Sequence, residues 1–172
     1  MGLIENDFQK ETVSLLNKCW MTHDGMWFFH CLKELGIEKT NEMNKAAIQS
    51  LATIEIPRIR KMIQLEDAIE TFEDVKRLFN GMIEFIIPDF MNLSVSYPKE
   101  NVIQWNSEDR NCFAYKGIQR IGAIEKYECG VLFRIQCWLN ALKIPHRFEP
   151  EIGLCKMHHE GFCKGCIHLF TE

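Results

Sequence analysis

The sequence predicts an α+β fold in which an N-terminal helical half packs on a C-terminal half containing a small antiparallel sheet. Up to residue 88, apolar residues recur at three- and four-residue steps, which is the period of an amphipathic helix. After Pro88, short segments alternate apolar and polar residues, as half-buried strands do. A chain of 172 residues fits one domain, so we expect 1–88 and 89–172 to be two halves of one unit.

The helical half is predicted to begin with an antiparallel hairpin. The first helix covers about 8–35 and ends at Gly36, a residue suited to a helix C-terminus. Thr40 is expected to cap the second helix, and the short connection makes the two helices antiparallel. Pro57 lacks a backbone N–H, so a kink or break is expected there. A third helix is predicted over about 66–80.

The C-terminal half is predicted to be a ββααββ unit. The segments MNLSVSY and NVIQW alternate apolar and polar residues and are separated by a turn, which indicates a hairpin. Two helices and two further strands are expected after it, over 113–121, 130–143, 146–155 and 166–170.

Charge and hydropathy argue against two classes of partner. The formal net charge is −4 and the basic residues are scattered, which does not predict a nucleic-acid partner. No apolar run approaches the roughly 20 residues that a membrane span requires. The first residues show no basic segment followed by an apolar one, so no secretory signal is predicted. We therefore expect a cytoplasmic protein with no membrane partner.

The eight cysteines form the most informative pattern in the sequence. In a reducing compartment they favour core packing, metal binding or thiol chemistry over disulfides. Cys163 and Cys166 form a C-x-x-C motif, in which Gly165 would let both sulfurs face one ion. Cys155 and His158 lie close by in the sequence, and zinc binds four such nitrogen or sulfur ligands in a tetrahedron.

Two more cysteines, Cys112 and Cys129, immediately precede predicted helices, where a thiol is expected to have a lowered pKa. We expect zinc to be the metal, with an iron–sulfur cluster as the alternative. The remaining cysteines fall on apolar helical faces and are predicted to be core residues. The predicted ligands are four of the set Cys112, Cys129, Cys155, Cys163, Cys166 and His158.

His23 and Glu55 form a second candidate site. If the hairpin turns near residues 37 and 38, Glu55 comes within about one helical turn of His23. A carboxylate beside an imidazole fixes its tautomer and raises its pKa, which suits a general base. The alternative is a buried hydrogen bond between the two side chains that closes the hairpin.

The chain contains the motif Trp20-x-x-His23-Asp24-Gly25-x-Trp27-Phe28, followed later by Tyr127-x-Cys129 and the late cysteines. This pattern resembles a family of uncharacterised prokaryotic cytosolic proteins. That family is similar to the aminothiazoline-carboxylate hydrolase-like group, whose glycine, cysteine and aromatic ending corresponds here to Gly161, Cys166 and Phe170. His168 departs from the family pattern, which has an aromatic residue there. The resemblance implies that the functional positions are among His23, Asp24, Glu55, Cys112, Cys129, Cys155 and Cys166.

Three functions are compatible with these observations. The first is a metal-binding protein that also binds a small organic ligand in a pocket between the halves. The second is a metal-free hydrolase of a small cyclic amide, amidine or thiazoline, with Cys112 or Cys129 as nucleophile or His23 activating water. The third is a structural module that forms a homodimer through the hairpin.

Overall fold

The computed structural model describes residues 7–65, 67–107 and 110–170, and within these ranges it has the predicted α+β architecture. Two single-turn 3₁₀ helices, Asp89–Met91 and Ile124–Lys126, connect the larger elements. The helices and strands are α1 (Asp7–Met62), α2 (Phe72–Ile86), β1 (Ser94–Lys99), β2 (Val102–Ser107), α3 (Phe113–Arg120), α4 (Gly130–Ala141), β3 (His146–Glu149), α5 (Lys156–His159) and β4 (Cys163–Leu169).

Helix α1 consists of two limbs, residues 7–35 and 37–62, joined at Gly36. The backbone of Gly36 is not helical, with φ 75° and ψ 172°. Trp20 on the first limb and Glu55 on the second both contact Arg134. A straight helix would separate Trp20 from Glu55 by about 52 Å, at about 1.5 Å per residue. The two limbs therefore form the predicted antiparallel hairpin.

Several boundaries in the helical half differ from the prediction. The second limb begins at residue 37, so Thr40 lies inside it, where its hydroxyl donates to the Gly36 carbonyl instead of capping the helix. Helix α1 continues through Pro57 to Met62, so the predicted break at Pro57 is absent. Pro57 is exposed, so the carbonyl that loses its partner can be solvated.

Helix α2 begins about six residues later than predicted because Thr71 and Asp74 form a capping box: each side chain accepts a hydrogen bond from the other's backbone N–H. It also continues past the predicted end at residue 80, through the buried Gly81 and Met82, to Ile86.

The four strands form one antiparallel sheet in the order β1-β2-β4-β3. The predicted hairpin is β1 and β2, and the last strand, β4, lies in the middle, between β2 and β3. In this register Trp105 lies opposite Gly165 and Phe148 lies opposite Ile167. Side chains alternate along β4, so Ile167 and Leu169 face the core.

The core has two parts. The larger part joins the second limb of α1, α2, α4 and one face of the sheet, around Phe79, Trp105 and Trp138. The smaller part surrounds Tyr127 and includes Phe28 from the first limb. In the described ranges no helix is long and apolar enough to cross a membrane.

Candidate functional site

Three cysteines each occupy the residue immediately before a helix. Cys112 precedes α3, Cys129 precedes α4 and Cys155 precedes α5, with closely similar φ values of −58°, −64° and −62°. The backbone N–H of Leu132 lies near enough to the Cys129 sulfur to lower the pKa of that thiol, without reaching hydrogen-bond geometry. The backbone N–H of His158 acts in the same way on Cys155, while it donates to the Cys155 carbonyl at 3.0 Å. The predicted positions of Cys112 and Cys129 before helices are therefore confirmed, and Cys155 repeats the arrangement.

A short antiparallel pairing brings Cys129 next to Cys155. The backbone N–H of Cys129 donates to the Gly153 carbonyl at 2.9 Å, and that of Cys155 donates to the Tyr127 carbonyl at 3.2 Å. Residues 128 and 154 form an isolated β-bridge between these bonds. The segments 127–129 and 153–155 are thus fixed side by side, although 26 positions separate the two cysteines in the sequence.

Cys163, the first residue of β4, completes a group of four. It packs against both parts of the core. Each pair among Cys112, Cys129, Cys155 and Cys163 lies close enough for the charge of one thiolate to affect the other. Four segments that are distant in sequence therefore gather their thiols in one region, which we call the cysteine cluster.

Burial disfavours the thiolate form of Cys129, Cys155 and Cys163. It raises the pKa of Cys129 from 9.0 to about 12 and that of Cys163 to about 11, and it also raises the pKa of Cys155. The neighbouring cysteines raise these values further, because each new thiolate would repel the others. The expected lowering at a helix N-terminus is therefore wrong for Cys129, where desolvation outweighs the backbone donor. A thiol of this kind is a poor free nucleophile at neutral pH.

Two buried polar groups beside Cys163 have no hydrogen-bond partner among the described residues. They are the indole Nε1 of Trp105 and the hydroxyl of Ser107, and both residues are at most 3% exposed. The Trp105 N–H lies near enough to lower the pKa of Cys163 without reaching hydrogen-bond geometry. Ser107 lies directly opposite Cys163 in the sheet. Both groups are donors for which a negatively charged sulfur would be an acceptor.

Two of the predicted ligands lie apart from the cysteine cluster. Cys163 and Cys166 are three residues apart on a regular strand, so their side chains leave opposite faces of the sheet. The expectation that both sulfurs of the C-x-x-C face one point is therefore not met. The ring of His158 points away as well, since its Nε2 atom lies 2.9 Å from the carboxylate of Glu125.

The four thiols do not yet form a coordination sphere. The part of the chain that the structure describes contains no group of three or more His, Cys, Asp or Glu side chains that could hold a metal ion as they stand. A metal ion would have to draw the sulfurs together. One side of the cluster is accessible: Cys129 borders a cavity of about 160 Å³, with Lys45, Glu128, Phe133 and Gln136 among its other lining residues.

The second candidate site has a different composition from the one predicted. The carboxylate of Glu55 accepts hydrogen bonds from Arg134 Nε at 3.1 Å and from Trp138 Nε1 at 2.8 Å, and forms an ion pair with Arg134. His23 is exposed and its ring packs edge-to-face on Trp27. Among the described residues no hydrogen bond or ion pair joins His23 to Glu55. A catalytic role for either residue stays a prediction.

Arg134 is the residue that the sequence analysis missed at this second site. It is the single charged residue in α4, within the apolar run GVLFRIQCWLNA, and that isolation was the available signal. Its guanidinium also stacks on Trp20, with 4.9 Å between Cζ and the centre of the indole ring, and it lies near Asp24. Cys129 and Arg134 are five positions apart on one helix, or about 7.5 Å along its axis. The two candidate sites are therefore adjacent along α4.

The fold and site define an α+β protein with a helical hairpin and a group of four cysteines, of which Cys155 is buried and the others are partly buried. The chain belongs to a family of unknown function, DUF6125, which matches residues 5–94. This match covers the hairpin, α2 and the start of the sheet, and ends before Cys112. No curated protein and no solved structure matches the chain. The resemblance to the aminothiazoline-carboxylate hydrolase-like group stays a prediction.

Proposed function

We propose that this protein binds one metal ion through the thiolates of Cys112, Cys129, Cys155 and Cys163. The observation that carries the proposal is the approach of these four thiols from four separate segments. Zinc is the first candidate because it prefers four sulfur or nitrogen ligands. An iron–sulfur cluster would use the same four sulfurs.

Electrostatics supports the proposal. Without a cation, desolvation favours the protonated form of Cys129, Cys155 and Cys163, and ionising one of them makes it harder to ionise the next. A divalent metal ion offsets both the desolvation and the repulsion, so it binds the thiolates and releases their protons. Such an ion would account for the gathering of the four thiols.

The surroundings of the sulfurs also suit thiolates. Backbone N–H groups lie near the sulfurs of Cys129 and Cys155, and the unpaired donors of Trp105 and Ser107 lie beside Cys163. The charge of Lys156 lies near Cys163 and lowers the pKa of its thiol. Such donors around the ligands orient them and spread their negative charge. Trp105 and Ser107 would gain the acceptors that they lack.

Binding would require the thiols to close in on the ion. Zinc–sulfur bonds are about 2.3 Å long, so the sulfurs must approach one another from their present positions. Cys112, Cys129 and Cys155 lie at junctions between loops and helices, where small backbone adjustments are less costly than inside an element. With four protein ligands the site would be closed, which is typical of structural or sensing metals rather than hydrolytic ones.

The test is metal analysis of the untagged chain purified without oxygen. We expect about one zinc per chain, and cobalt substitution should give the visible absorption of a tetrahedral thiolate site. Separate serine variants of Cys112, Cys129, Cys155 and Cys163 should lose most of the metal. An iron content with matching sulfide would identify the cluster alternative.

The C-x-x-C motif provides a matched control. Cys163→Ser should abolish binding, whereas Cys166→Ser, three residues away on the opposite face of β4, should leave the metal content unchanged. Metal-free protein with eight reduced thiols, even after zinc is supplied, would refute the proposal. Loss of metal in Cys166→Ser with retention in Cys163→Ser would refute this choice of ligands.

A further inference from the structure

The first limb of α1 carries large apolar side chains on its solvent-facing side. Phe8 is 78% exposed, Leu16 63% and Trp27 61%, and Leu15 and Met26 are also exposed. Together with Cys19 and His23 they recur at helical spacing along residues 8–27, and we call them the outer stripe. A soluble monomer rarely leaves so many large apolar side chains together in solvent, so the stripe marks an interaction surface.

The opposite side of the same limb already packs on the rest of the protein. The amide of Asn17 donates to the Phe85 carbonyl at 3.0 Å, Met21 packs on the larger core, and Phe28 is buried against Tyr127. At about 100° per residue these side chains lie nearly opposite the outer stripe. The limb is therefore apolar on two sides, and only one of them is covered by the chain itself.

We propose that the outer stripe binds the outer stripe of a second copy, forming an antiparallel dimer with two-fold symmetry. The exposed apolar area is comparable with that of a standard interface. Scaled by their exposed fractions, and taking about 150–250 Å² for a fully exposed aromatic side chain, the large apolar side chains of the stripe present roughly 700 Å². A standard stable interface buries about 800 Å² per partner.

The order of residues along the stripe favours a second copy as the occupant. The stripe is nearly symmetric about residue 21, as a two-fold axis requires, since residue i must then face j while j faces i. Antiparallel pairing about that point places Leu15 opposite the partner's Trp27 and Leu16 opposite the partner's Met26. Cys19 then faces the partner's His23, close to the axis. On both sides of this central pair, apolar residues meet apolar residues.

The charges of the limb do not suit a membrane. Residues 7–35 contain three lysines, no arginine and four acidic residues. Helices that lie on anionic lipid surfaces carry an excess of basic residues on their polar face, which this limb lacks. The mixed charges beside the outer stripe fit a protein surface instead.

Sedimentation equilibrium of the full chain at micromolar concentration tests the proposal. We expect a species of twice 20.2 kDa. Leu16→Glu should raise the dissociation constant roughly 100-fold or more, because it places two charges in one apolar interface. Ile54→Glu is the matched control, since Ile54 is 49% exposed on the other limb. It should leave the dimer unchanged, and circular dichroism should show both variants folded.

A cross-link tests the pairing itself. In His23→Cys, the new thiol should form a disulfide with Cys19 of the partner, and peptide mapping of the oxidised dimer should recover the 19–23 link. A monomeric wild type would overturn the proposal, and so would a dimer that Ile54→Glu dissociates and Leu16→Glu does not. Binding of the monomer to anionic vesicles would assign the outer stripe to lipid and would equally overturn it.

Discussion

The guanidinium of Arg134 on α4 and the carboxylate of Glu55 on the second limb of α1 form an ion pair that is largely shielded from water. Their side chains are 15% and 11% exposed. Trp138 donates to the same carboxylate, and Trp20 from the first limb covers the guanidinium. One ion pair therefore connects α4 to both limbs of the hairpin.

Removing one member of this pair should destabilise the fold. Glu55→Gln keeps the size of the side chain but leaves the Arg134 charge with the more distant Asp24 carboxylate in place of its ion-pair partner, so we expect a loss of about 2 kcal/mol in the free energy of unfolding. Urea denaturation measures it. Glu42→Gln, which breaks the exposed pair with Lys39, is the control and should have no measurable effect. Equal stabilities of the two variants would show that the pair is not structural.

Gly165 is expected to tolerate no side chain. A Cβ atom there would overlap the ring of Trp105 and come within 2.5 Å of the Glu149 carbonyl oxygen. Gly165→Ala should therefore cost about 3 kcal/mol or more, because the neighbouring strand must move. Near-ultraviolet circular dichroism should show the displaced indole. Gly117→Ala, in α3 where nothing lies within 4 Å, should instead stabilise the protein by roughly 0.5–1 kcal/mol.

The bend in α1 depends on Gly36. At φ 75° and ψ 172° a residue with a side chain is strained, so Gly36→Ala should lower the free energy of unfolding by about 2 kcal/mol. Thermal unfolding provides the measurement. Gly25→Ala lies within regular helix with no atom in its way and should be stabilising. A Gly36→Ala variant as stable as the wild type would mean that the hairpin does not require this conformation.

The metal-free protein should lose stability at alkaline pH. The pKa of Cys129 is raised from 9.0 to about 12, so the folded state holds the thiol proton more tightly than the unfolded chain. This contribution is fully present below about pH 9 and is lost as the pH rises toward 12. At pH 10 the loss is about 1 kcal/mol. Cys129→Ala should remove this contribution to the loss. The measurement is the free energy of unfolding of wild type and variant, from denaturation at pH 8 and at pH 10.

If wild type and Cys129→Ala lose equal stability between pH 8 and pH 10, the thiol is not desolvated in the way the structure indicates. Cys19→Ala provides the control. The prediction that Cys19 is a core residue is wrong: it is exposed on the first limb, because the opposite side of that limb packs on the protein. Its removal should therefore leave the alkaline loss of stability unchanged.

Local patterns predicted most elements but not all of their boundaries. The alternation in β1 and β2 and the apolar periodicity of α4 gave elements within a few residues of those observed. The start of α2 differs from the prediction because the capping box of Thr71 and Asp74 decides where the helix begins, and apolar periodicity does not register a cap. Pro57 was expected to interrupt the helix, but tertiary packing of its limb outweighs that local preference.

The candidate site was predictable in composition and less so in geometry. The sequence singled out Cys112, Cys129, Cys155 and Cys163, and the structure brings these four together. The sequence also singled out Cys166, and its spacing from Cys163 could not show that the two side chains lie on opposite faces. That placement depends on β4 beginning at Cys163, and the pairing of β4 with β2 decides where β4 begins. A C-x-x-C in a loop can face one ion, but in a strand it cannot.

The sequence by itself determined the α+β class, the hairpin bend at Gly36 and the presence of cysteines before helices. These features follow from periodicity and backbone preferences that act over a few residues. Only the tertiary structure decided that Glu55 pairs with Arg134, that Cys166 lies apart from the cluster, and which side of the first limb stays exposed. Each of these depends on contacts between residues far apart in the chain. Both sides of that limb are apolar, so its local pattern could not choose between them.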